Sequence, residues 1–392
     1  MLAYSTALIF NEITLARTQQ LQKESRMISM NEKEKYMEKA LELAALGAGK
    51  VSPNPMVGCV IVKDGRIISY GHHENYGGFH AERNALLSCM EDPQGAELYV
   101  NLEPCCHQGK TPPCTDIIIE KKIKKVYIGS LDVNPKVAGK GVKTLLNHQI
   151  QVETGILEAK NNKLNEVFIH YMQTNLPFVA MKYAMTLDGK IACATGDSKW
   201  VTQKAAREQV QVLRNNFSGI MIGIGTALAD NPMLNCRMQG GKNPVRIICD
   251  SKLRIPLDSK IVKTALEIPT MVAFCQENRS KQQELEQAGI TLLKISKGEQ
   301  AGVDLKELMK ELGRRNIDSV LLEGGGTLNA SMLNQHFVQR VYGFIAPKLV
   351  AGKDAKSPIE GIGIAAMKDA VCLEEIEWKQ YGPDICITGI IK

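Results

Sequence analysis

Long hydrophobic runs, aromatic residues and a strong charge of one sign are all scarce in this sequence of 392 residues. No apolar run approaches the roughly 18 residues that a membrane-spanning helix needs, so we expect no membrane partner. Aromatic residues make up 5% of the chain, and the net charge is +6, from 48 Lys and Arg against 42 Asp and Glu. These values do not favour the basic, aromatic-lined channel of a nucleic-acid-binding protein.

A disulfide framework is also not indicated, although the chain has 11 cysteines. Their odd number and irregular spacing are typical of free thiols in a reducing compartment, so we expect a cytoplasmic location. Cys59, Cys249 and Cys275 lie in apolar runs, where a thiol behaves as a small hydrophobic group. Residues 1–29 make a poor secretory signal, and we expect a leader or a disordered extension there.

The length exceeds what one hydrophobic core usually supports, and the pattern of the chain predicts two α/β domains. Asn31 and Glu34 are spaced as a helix capping box, and Lys63-Asp64-Gly65 is typical of a hairpin turn. Strand-like stretches, such as Glu97 to Leu102 and Gly219 to Gly223, then alternate with helical ones, such as Ala81 to Met90, which predicts largely parallel sheets. Pro177 ends the best linker candidate, so we predict domains at 30–174 and 175–392.

One imidazole and two thiols carry the clearest chemical signal, at His80, Cys105 and Cys114. Three protein ligands leave the fourth position of a zinc ion open for water, which is the catalytic arrangement. Glu82 stands where a carboxylate beside the metal can carry protons. His-x-Glu followed by Pro-Cys and a second Cys is the signature of zinc-dependent base deaminases, although the usual spacing between the cysteines is shorter.

Other interpretations of these residues stay open at this point. A structural zinc needs four protein ligands, and His107 is available as the fourth. A histidine such as His80, taken alone, is more often a hydrogen-bonded core residue, and a pair such as Cys105 and Cys106, taken alone, is more often a pair of buried thiols. Asn54, between two prolines, most often serves only to cap a turn. The catalytic zinc is favoured because Glu82 agrees with it.

Six blocks of sequence, three in each half, carry a resemblance to a known family. They are Pro53 to Gly58, His80 to Ala85 and Leu102 to Cys114, followed in the second half by Met181 to Lys190, Thr226 to Pro232 and Glu323 to Gly326. Together they resemble the bifunctional riboflavin-biosynthesis deaminase/reductase, and the wide loop between the cysteines matches that family.

The resemblance implies a cytidine-deaminase-like domain followed by a dihydrofolate-reductase-like domain. It implies zinc at His80, Cys105 and Cys114, with Glu82 as the proton carrier. It also implies a small phosphorylated pyrimidine as the substrate, deaminated at C2 and then reduced from ribosyl to ribityl. The residues implied to bind the pyrimidine or its phosphate are Asn54, His73 and Lys110.

Without the family resemblance, the sequence of the second half gives only weak evidence of a binding site. Gly324-Gly325-Gly326 follows a strand and precedes a helical pattern, which suits a phosphate at a helix start and an ordinary turn about equally. The resemblance implies NADPH, bound by Ala184, Trp200, Thr226, Asp230, Ser251, Gly325, Gly326 and Thr327. It implies substrate contacts from Ser198, Arg214, Leu234, Arg237 and Glu323.

Two arginines of that set suit a substrate phosphate, because a guanidinium can bind it with two parallel hydrogen bonds. Arg214 facing solvent and Trp200 lying in the core are the structural alternatives. Lys182 and Asp188 receive no role. We also expect a homo-oligomer. The rival functions are a nucleic-acid base deaminase with an appended domain and a zinc-stabilised binding protein without catalysis.

Overall fold

The computed structural model describes residues 30–109, 111–298 and 302–392. The expectations for residues 1–29 and for Lys110 lie outside them. The described residues form two compact units. The first runs up to Gly47 and resumes at Met56–Asn165, and the second consists of Ala48–Pro55 and Glu166–Lys392.

The first unit is a five-stranded sheet with helices against it. Its strands are β1 (Gly58–Lys63), β2 (Arg66–His72), β3 (Glu97–Leu102), β4 (Lys125–Ser130) and β5 (Gln151–Thr154). They lie in the order β2-β1-β3-β4-β5, and β1 is antiparallel to both neighbours while β3, β4 and β5 are parallel. Its helices are α1 (Glu32–Ala44), α2 (Ala81–Leu87), α3 (Cys114–Glu120), α4 (Lys140–Asn147) and α5 (Glu158–Leu164).

Helix α1 shows how sequence and packing agree in this unit. The capping box predicted at Asn31 and Glu34 is present, with each side chain bonded to the backbone of the other residue. Met37, at 0% exposure, lies on the apolar face of α1 that packs on β1 and β3. Strand β1 approaches so closely that a Cβ at Gly58 would stand 2.1 Å from the carbonyl oxygen of Ala40.

The second unit contains a nine-stranded sheet in the order β10-β9-β8-β7-β11-β6-β12-β14-β13. The strands from β10 to β12 in that order are parallel, and β14 and β13 are antiparallel. The strands are β6 (Phe178–Thr186), β7 (Gly219–Gly223), β8 (Val245–Cys249), β9 (Thr270–Phe274), β10 (Thr291–Lys294), β11 (Ser319–Leu322), β12 (Arg340–Ala346), β13 (Leu373–Tyr381) and β14 (Asp384–Ile391).

Its helices connect the parallel strands and cover the sheet. They are α6 (Glu166–Thr174), α7 (Lys204–Asn216), α8 (Ile224–Asp230), α9 (Lys260–Lys263), α10 (Arg279–Gln287), α11 (Leu305–Arg314) and α12 (Gly326–Asn334). Helix α11 begins at the cap Asp304 and buries Leu305, Leu308 and Leu312 at helical spacing. Each such leucine contributes about 1.5–3 kcal/mol on burial.

The α/β class and the order of the predicted elements are confirmed. The predicted, largely parallel arrangement holds for the second sheet, whereas the first sheet has two antiparallel and two parallel strand pairs. The predicted linker at 174–177 instead forms a turn between α6 and β6 inside the second unit. Helix α6 is held there by an ion pair from Glu166 to Arg340 and by a hydrogen bond from Tyr171 to the carbonyl of Gly313. The limits of the functional domains stay a prediction.

Some elements escaped prediction because they have little hydrophobic periodicity. Helix α10 is mostly polar and buries only Leu285, and strand β13 is exposed along nearly its whole length. The predicted helix from 81 to 90 ends at Leu87, where Ser88 donates its hydroxyl to the carbonyl of Asn84. Within the described part of the chain, no helix combines the length and the apolar character needed to cross a membrane.

Candidate functional site

The first unit brings His80, Cys105 and Cys114 together, with their ligand atoms all within 4.8 Å of one another. Nδ1 of His80 lies 3.4 Å from each of the two Sγ atoms. A tetrahedral zinc ion with ordinary bond lengths separates a nitrogen from a sulfur ligand by about 3.5 Å. The three donors therefore fit zinc in both chemistry and spacing.

Local structure explains the position of each donor. His80 is the residue that precedes helix α2, and Cys114 is the first residue of α3. Cys105 lies in the loop after β3 and does not itself begin a helix. Its sulfur nevertheless accepts the backbone N–H of Cys114 at 3.4 Å, so the N-terminus of α3 serves both cysteines.

The fourth-ligand alternative finds no support among the described residues. Neither His107 nor Cys106 belongs to the donor cluster, which has three members. The arrangement of a catalytic zinc, with one open position, is therefore the one that the side chains permit.

Hydrogen bonds among the donors shift their pKa values in opposite directions. The thiol of Cys114 and the ring of His80 lower the pKa of Cys105 despite its burial, whereas interaction with Cys105 and burial raise the pKa of Cys114. The bond to Cys105 also raises the pKa of His80. Cys105 is thus the preferred thiolate of the pair.

Glu82 lies in the first turn of α2 and is only 3% exposed. Burial raises its pKa above the ordinary value, and its Oε2 atom has no hydrogen-bond partner among the described residues. A buried carboxyl with a raised pKa and an unused oxygen is suited to taking up and releasing a proton.

The other described residues predicted for the deaminase, His73 and Asn54, belong to different units. His73 is 2% exposed, and its ring lies 5.3 Å from that of His80, edge to face. Nδ1 of His73 donates to the carbonyl of Phe79, and burial lowers its pKa. Asn54 lies in the segment Ala48–Pro55 of the second unit, where its backbone N–H bonds the carbonyl of Val51.

Two carboxylates near the cysteines, one buried and one half-buried, were missed from sequence. Glu103, 4% exposed, accepts the backbone N–H groups of Asp132, Gly139 and Val142, and so fixes the loops beside Cys105. Burial raises the pKa of Asp132 to about 6. The only sequence signal for either residue was an acidic side chain at the end of an apolar strand.

The second unit contains a cavity of about 1090 Å³ at the carboxyl ends of its parallel strands. All of the residues predicted for the reductase lie on its wall. They are Ala184, Ser198, Trp200, Arg214, Thr226, Asp230, Leu234, Arg237, Ser251, Glu323, Gly325, Gly326 and Thr327. The carboxyl ends of parallel strands are the usual place for a ligand in such sheets.

A buried ion pair dominates one side of this cavity. Nε and Nη2 of Arg214 donate to the two oxygens of Glu323 at 2.8 and 3.0 Å, and Nζ of Lys182 lies 3.6 Å from Oε2 of Glu323. The Glu323 side chain is 11% exposed. Burial alone would raise its pKa, but Arg214 and Lys182 lower it to about 2.

This pair corrects one expectation from sequence. We expected Arg214 to offer both ends of its guanidinium to a substrate phosphate, but Glu323 already accepts them. The alternatives of an exposed Arg214 and a core Trp200 are also wrong, because the Arg214 side chain is 12% exposed and Trp200 is 64% exposed. The ring of Trp200 instead carries the guanidinium of Arg207 at 4.7 Å.

Lys182 and Asp188, which received no role from sequence, take different positions. Lys182 lies on β6 and faces Glu323 in the cavity. Asp188 accepts the hydroxyl of Thr186 and the backbone N–H groups of Val350 and Ala351, which lowers its pKa to about 2. Asp188 therefore holds a loop in place.

The glycines after β11 leave no room for side chains. A Cβ at Gly324 would stand 2.8 Å from Oδ1 of Asn329, and one at Gly326 would stand 2.8 Å from the carbonyl oxygen of Ser357. Helix α12 begins after Gly325, and Gly325, Gly326 and Thr327 line the cavity. A helix start at a cavity wall suits a phosphate.

Comparison with known proteins supports the assignment of both halves of the chain. The family described as the RibD C-terminal domain matches residues 177–387, and the cytidine and deoxycytidylate deaminase zinc-binding region matches residues 30–130. The riboflavin biosynthesis protein RibD of Actinobacillus pleuropneumoniae is 51% identical, over 91% of this chain and 94% of that protein. The chain belongs to the RibD family.

Other RibD proteins extend the match. The protein from Bacillus amyloliquefaciens is 40% identical over 92% of this chain and 96% of its own length. The solved structure of Acinetobacter baumannii RibD is 36% identical, with a TM-score of 0.83, and the match covers 92% of this chain and 99% of that one. As a RibD, the chain is a riboflavin-biosynthesis enzyme with a zinc-dependent deaminase half and a reductase half.

A structure from Thermotoga maritima carries the more specific name diaminohydroxyphosphoribosylaminopyrimidine deaminase/5-amino-6-(5-phosphoribosylamino)uracil reductase. It is 38% identical to this chain, with a TM-score of 0.81, and the match covers 92% of this chain and 99% of that one.

Proposed function

We propose that the deaminase half removes the C2 amino group of 2,5-diamino-6-(5-phosphoribosylamino)pyrimidin-4-one, and that the reductase half then converts the ribosyl group of the product to ribityl with NADPH. The Thermotoga maritima relative is named for these two reactions. The observation that carries the proposal is the pair of buried glutamates, Glu82 and Glu323, one beside the donor cluster and one in the large cavity.

In the deaminase half, His80, Cys105 and Cys114 hold zinc. Bound there, zinc would supply Lewis acidity and lower the pKa of a water molecule toward neutrality. Glu82 takes up the two protons of the attacking water in turn at its Oε2 atom, and it delivers the first to the ring nitrogen and the second to the departing amine, which leaves as ammonia. The pyrimidine and its phosphate are held by Asn54, His73 and Lys110, as the family resemblance implies.

In the reductase half, NADPH supplies the hydride. The chain's own task is to hold the ribose carbon against the cofactor and to keep its hydroxyls fixed. Glu323, charged at every pH near neutrality, accepts hydrogen bonds from those hydroxyls, while Arg214 and Lys182 keep it in position. Arg237 is the arginine of the pair that remains for the substrate phosphate.

The predicted phosphate site at Gly325 to Thr327 and the contacts from Ala184, Trp200, Thr226, Asp230 and Ser251 belong to the cofactor in this proposal. Ser198 and Leu234 complete the substrate side. A cytoplasmic location is part of the proposal too, supported by 11 cysteines that are all unpaired. The homo-oligomer stays a prediction.

The proposal is tested by incubating the purified full-length protein with the phosphoribosylaminopyrimidine and NADPH. Ammonia release and cofactor absorbance are followed together. We expect one ammonia and one oxidised cofactor for each substrate, with cofactor oxidation delayed until deaminated product has formed. Cofactor oxidation without ammonia release would reject the order of reactions, and the absence of both would reject the substrate.

A further inference from the structure

One face of helix α7 lines the large cavity with three polar side chains. Arg207, Gln211 and Arg214 follow one another at intervals of four and three residues, the spacing that places helical residues on one face. Arg214 is bonded to Glu323, and Arg207 lies over the ring of Trp200. Gln211 is only 8% exposed. It is thus a buried polar residue at the cavity wall that the proposed reaction does not yet explain.

Gln211 is bonded to the segment that carries Arg237. Its Oε1 atom accepts the backbone N–H of Arg237 at 3.0 Å, and its backbone carbonyl accepts the thiol of Cys236 at 3.6 Å. Nη1 of Arg214 donates to the carbonyl of Asn235 at 3.1 Å. Three consecutive residues, 235–237, are therefore each bonded to α7.

The segment depends on these bonds because it forms no regular secondary structure of its own. Residues 231–237 lie between α8 and β8 and belong to neither a helix nor a strand. Since a peptide unit is planar, a bond to the N–H of Arg237 fixes the orientation of the whole unit that joins residues 236 and 237. The position of the Arg237 Cα atom, from which the side chain leaves, is fixed with it.

The side chain of Arg237, by contrast, is free to meet a ligand. It is exposed and lines the cavity, and its guanidinium makes no hydrogen bond or ion pair with another described residue. A guanidinium can donate two parallel hydrogen bonds to a phosphate. Binding through a mobile segment would lose conformational freedom, and a backbone that is already held reduces that loss.

We propose that Gln211 is a positioning residue for the phosphate of the reductase substrate, because it holds the backbone of Arg237 and so presents the guanidinium to the cavity. This assignment rests on the proposed reductase function. The atom of Gln211 that faces Arg237 must be the amide oxygen, since an N–H needs an acceptor. Gln211 acts through Arg237 and does not itself touch the phosphate.

The test measures the binding of two ligands that differ only in the phosphate, the deaminated substrate and its dephosphorylated form, by titration calorimetry on the full-length protein without NADPH. Wild type should bind the phosphorylated form more tightly. Gln211→Met keeps the length of the side chain but removes the acceptor, so it should weaken binding of the phosphorylated form about fivefold and leave the other form unchanged.

Gln209→Met is the matched control, because it makes the same chemical change two residues away on another face of α7. Gln209 does not line the cavity, and its side chain makes no hydrogen bond with another described residue. It should leave the binding of both forms unchanged. Unfolding temperatures of all variants are measured. If Gln211→Met does not fold, Gln211→Asn, whose acceptor is drawn back by one methylene group, replaces it.

A double-mutant cycle shows whether Gln211 acts through Arg237. Arg237→Ala should weaken binding of the phosphorylated form about thirtyfold, because it removes a charged donor. The double variant should bind no more weakly than Arg237→Ala alone, whereas independent effects would multiply to about 150-fold. With NADPH present, Gln211→Met should raise KM for the phosphorylated substrate and leave kcat unchanged.

The outcomes separate this assignment from the proposed function. If wild type prefers the phosphorylated form and Gln211→Met keeps the full preference, or if the two effects multiply, the role of Gln211 is overturned while the reductase function stands. Equal binding of both forms by wild type would overturn Arg237 as the phosphate site, and Gln211 with it. Failure of wild type to oxidise NADPH with the deaminated substrate would reject the reductase function, whereas the binding experiments, which need no turnover, decide the role of Gln211 separately.

Discussion

Glu82 and Glu323 are both buried glutamates at the candidate sites of their units, yet their surroundings drive their pKa values in opposite directions. Among the described residues no arginine or lysine is bonded to Glu82, and burial raises its pKa. Glu323 is bonded by Arg214 and approached by Lys182, which lower its pKa to about 2. One carboxyl is prepared to exchange protons, and the other to remain an anion. The environment therefore decides the role of the residue.

Glu82→Gln should have the largest effect of the variants considered, and it should act on the deaminase half alone. An amide keeps the shape of the side chain but cannot carry a proton, so ammonia release should fall about 10³-fold. Zinc content, measured by elemental analysis, should stay at the wild-type level. Cofactor oxidation with deaminated substrate should be unaffected in the same preparation. Unchanged ammonia release would remove Glu82 from the mechanism.

Glu323→Gln should disrupt the reductase half because it removes the negative charge of the side chain. It leaves the guanidinium of Arg214 buried without its anion, which should lower the free energy of unfolding by about 3 kcal/mol. Cofactor oxidation should be lost while deamination continues. Urea unfolding and the two activity assays measure these effects.

Glu166→Gln is the matched control for that variant. Glu166 also receives two hydrogen bonds from one guanidinium, that of Arg340, but it does not line the cavity. It should lower stability and leave cofactor oxidation per folded molecule unchanged. Equal loss of cofactor oxidation in both variants would mean that Glu323 acts only through stability.

Cys105→Ser tests a further difference between the two halves, because only the deaminase half should depend on zinc. Loss of a ligand should weaken zinc binding at least about a hundredfold, more than the loss of an outer partner does. Cys106→Ser is the control, since Cys106 is adjacent in sequence but outside the donor cluster. Competition with a metal indicator measures both. Similar affinities in the two variants would exclude Cys105 as a ligand.

The two sites also differ in how much of them sequence could predict. His80, Glu82, Cys105 and Cys114 lie within 35 residues, and a zinc ion imposes a fixed combination of side chains on them. Arg214 and Glu323 are 109 residues apart, so their pairing depends on how α7 and β11 meet in the folded sheet. Charge and spacing in the sequence do not reveal this pairing, so from sequence Arg214 was assigned to a substrate phosphate.

The same limit applies to the fold. Elements with a clear pattern, such as β3 at Glu97–Leu102 and β7 at Gly219–Gly223, were predicted to the residue. The exposed strand β13 has no alternation of buried and exposed residues, because its burial pattern is set by its place at the edge of the sheet. The structure of β13 depends on its position in the folded protein, which a local sequence pattern does not record.

The pH dependence of stability gives the smallest expected effect and tests the Glu323 environment directly. A carboxyl whose pKa is lowered from 4.5 to about 2 stabilises the folded state fully above its unfolded value, and this contribution is lost as the pH falls toward 2. The difference in unfolding free energy between wild type and Glu323→Gln should therefore be constant from about pH 8 to 5 and shrink by about 2 kcal/mol between about pH 5 and 3. Urea unfolding at each pH measures it. A difference that instead grows as the pH falls from about 7 to 5 would show that the pKa of Glu323 is raised like that of Glu82, and the contrast between the two glutamates would disappear.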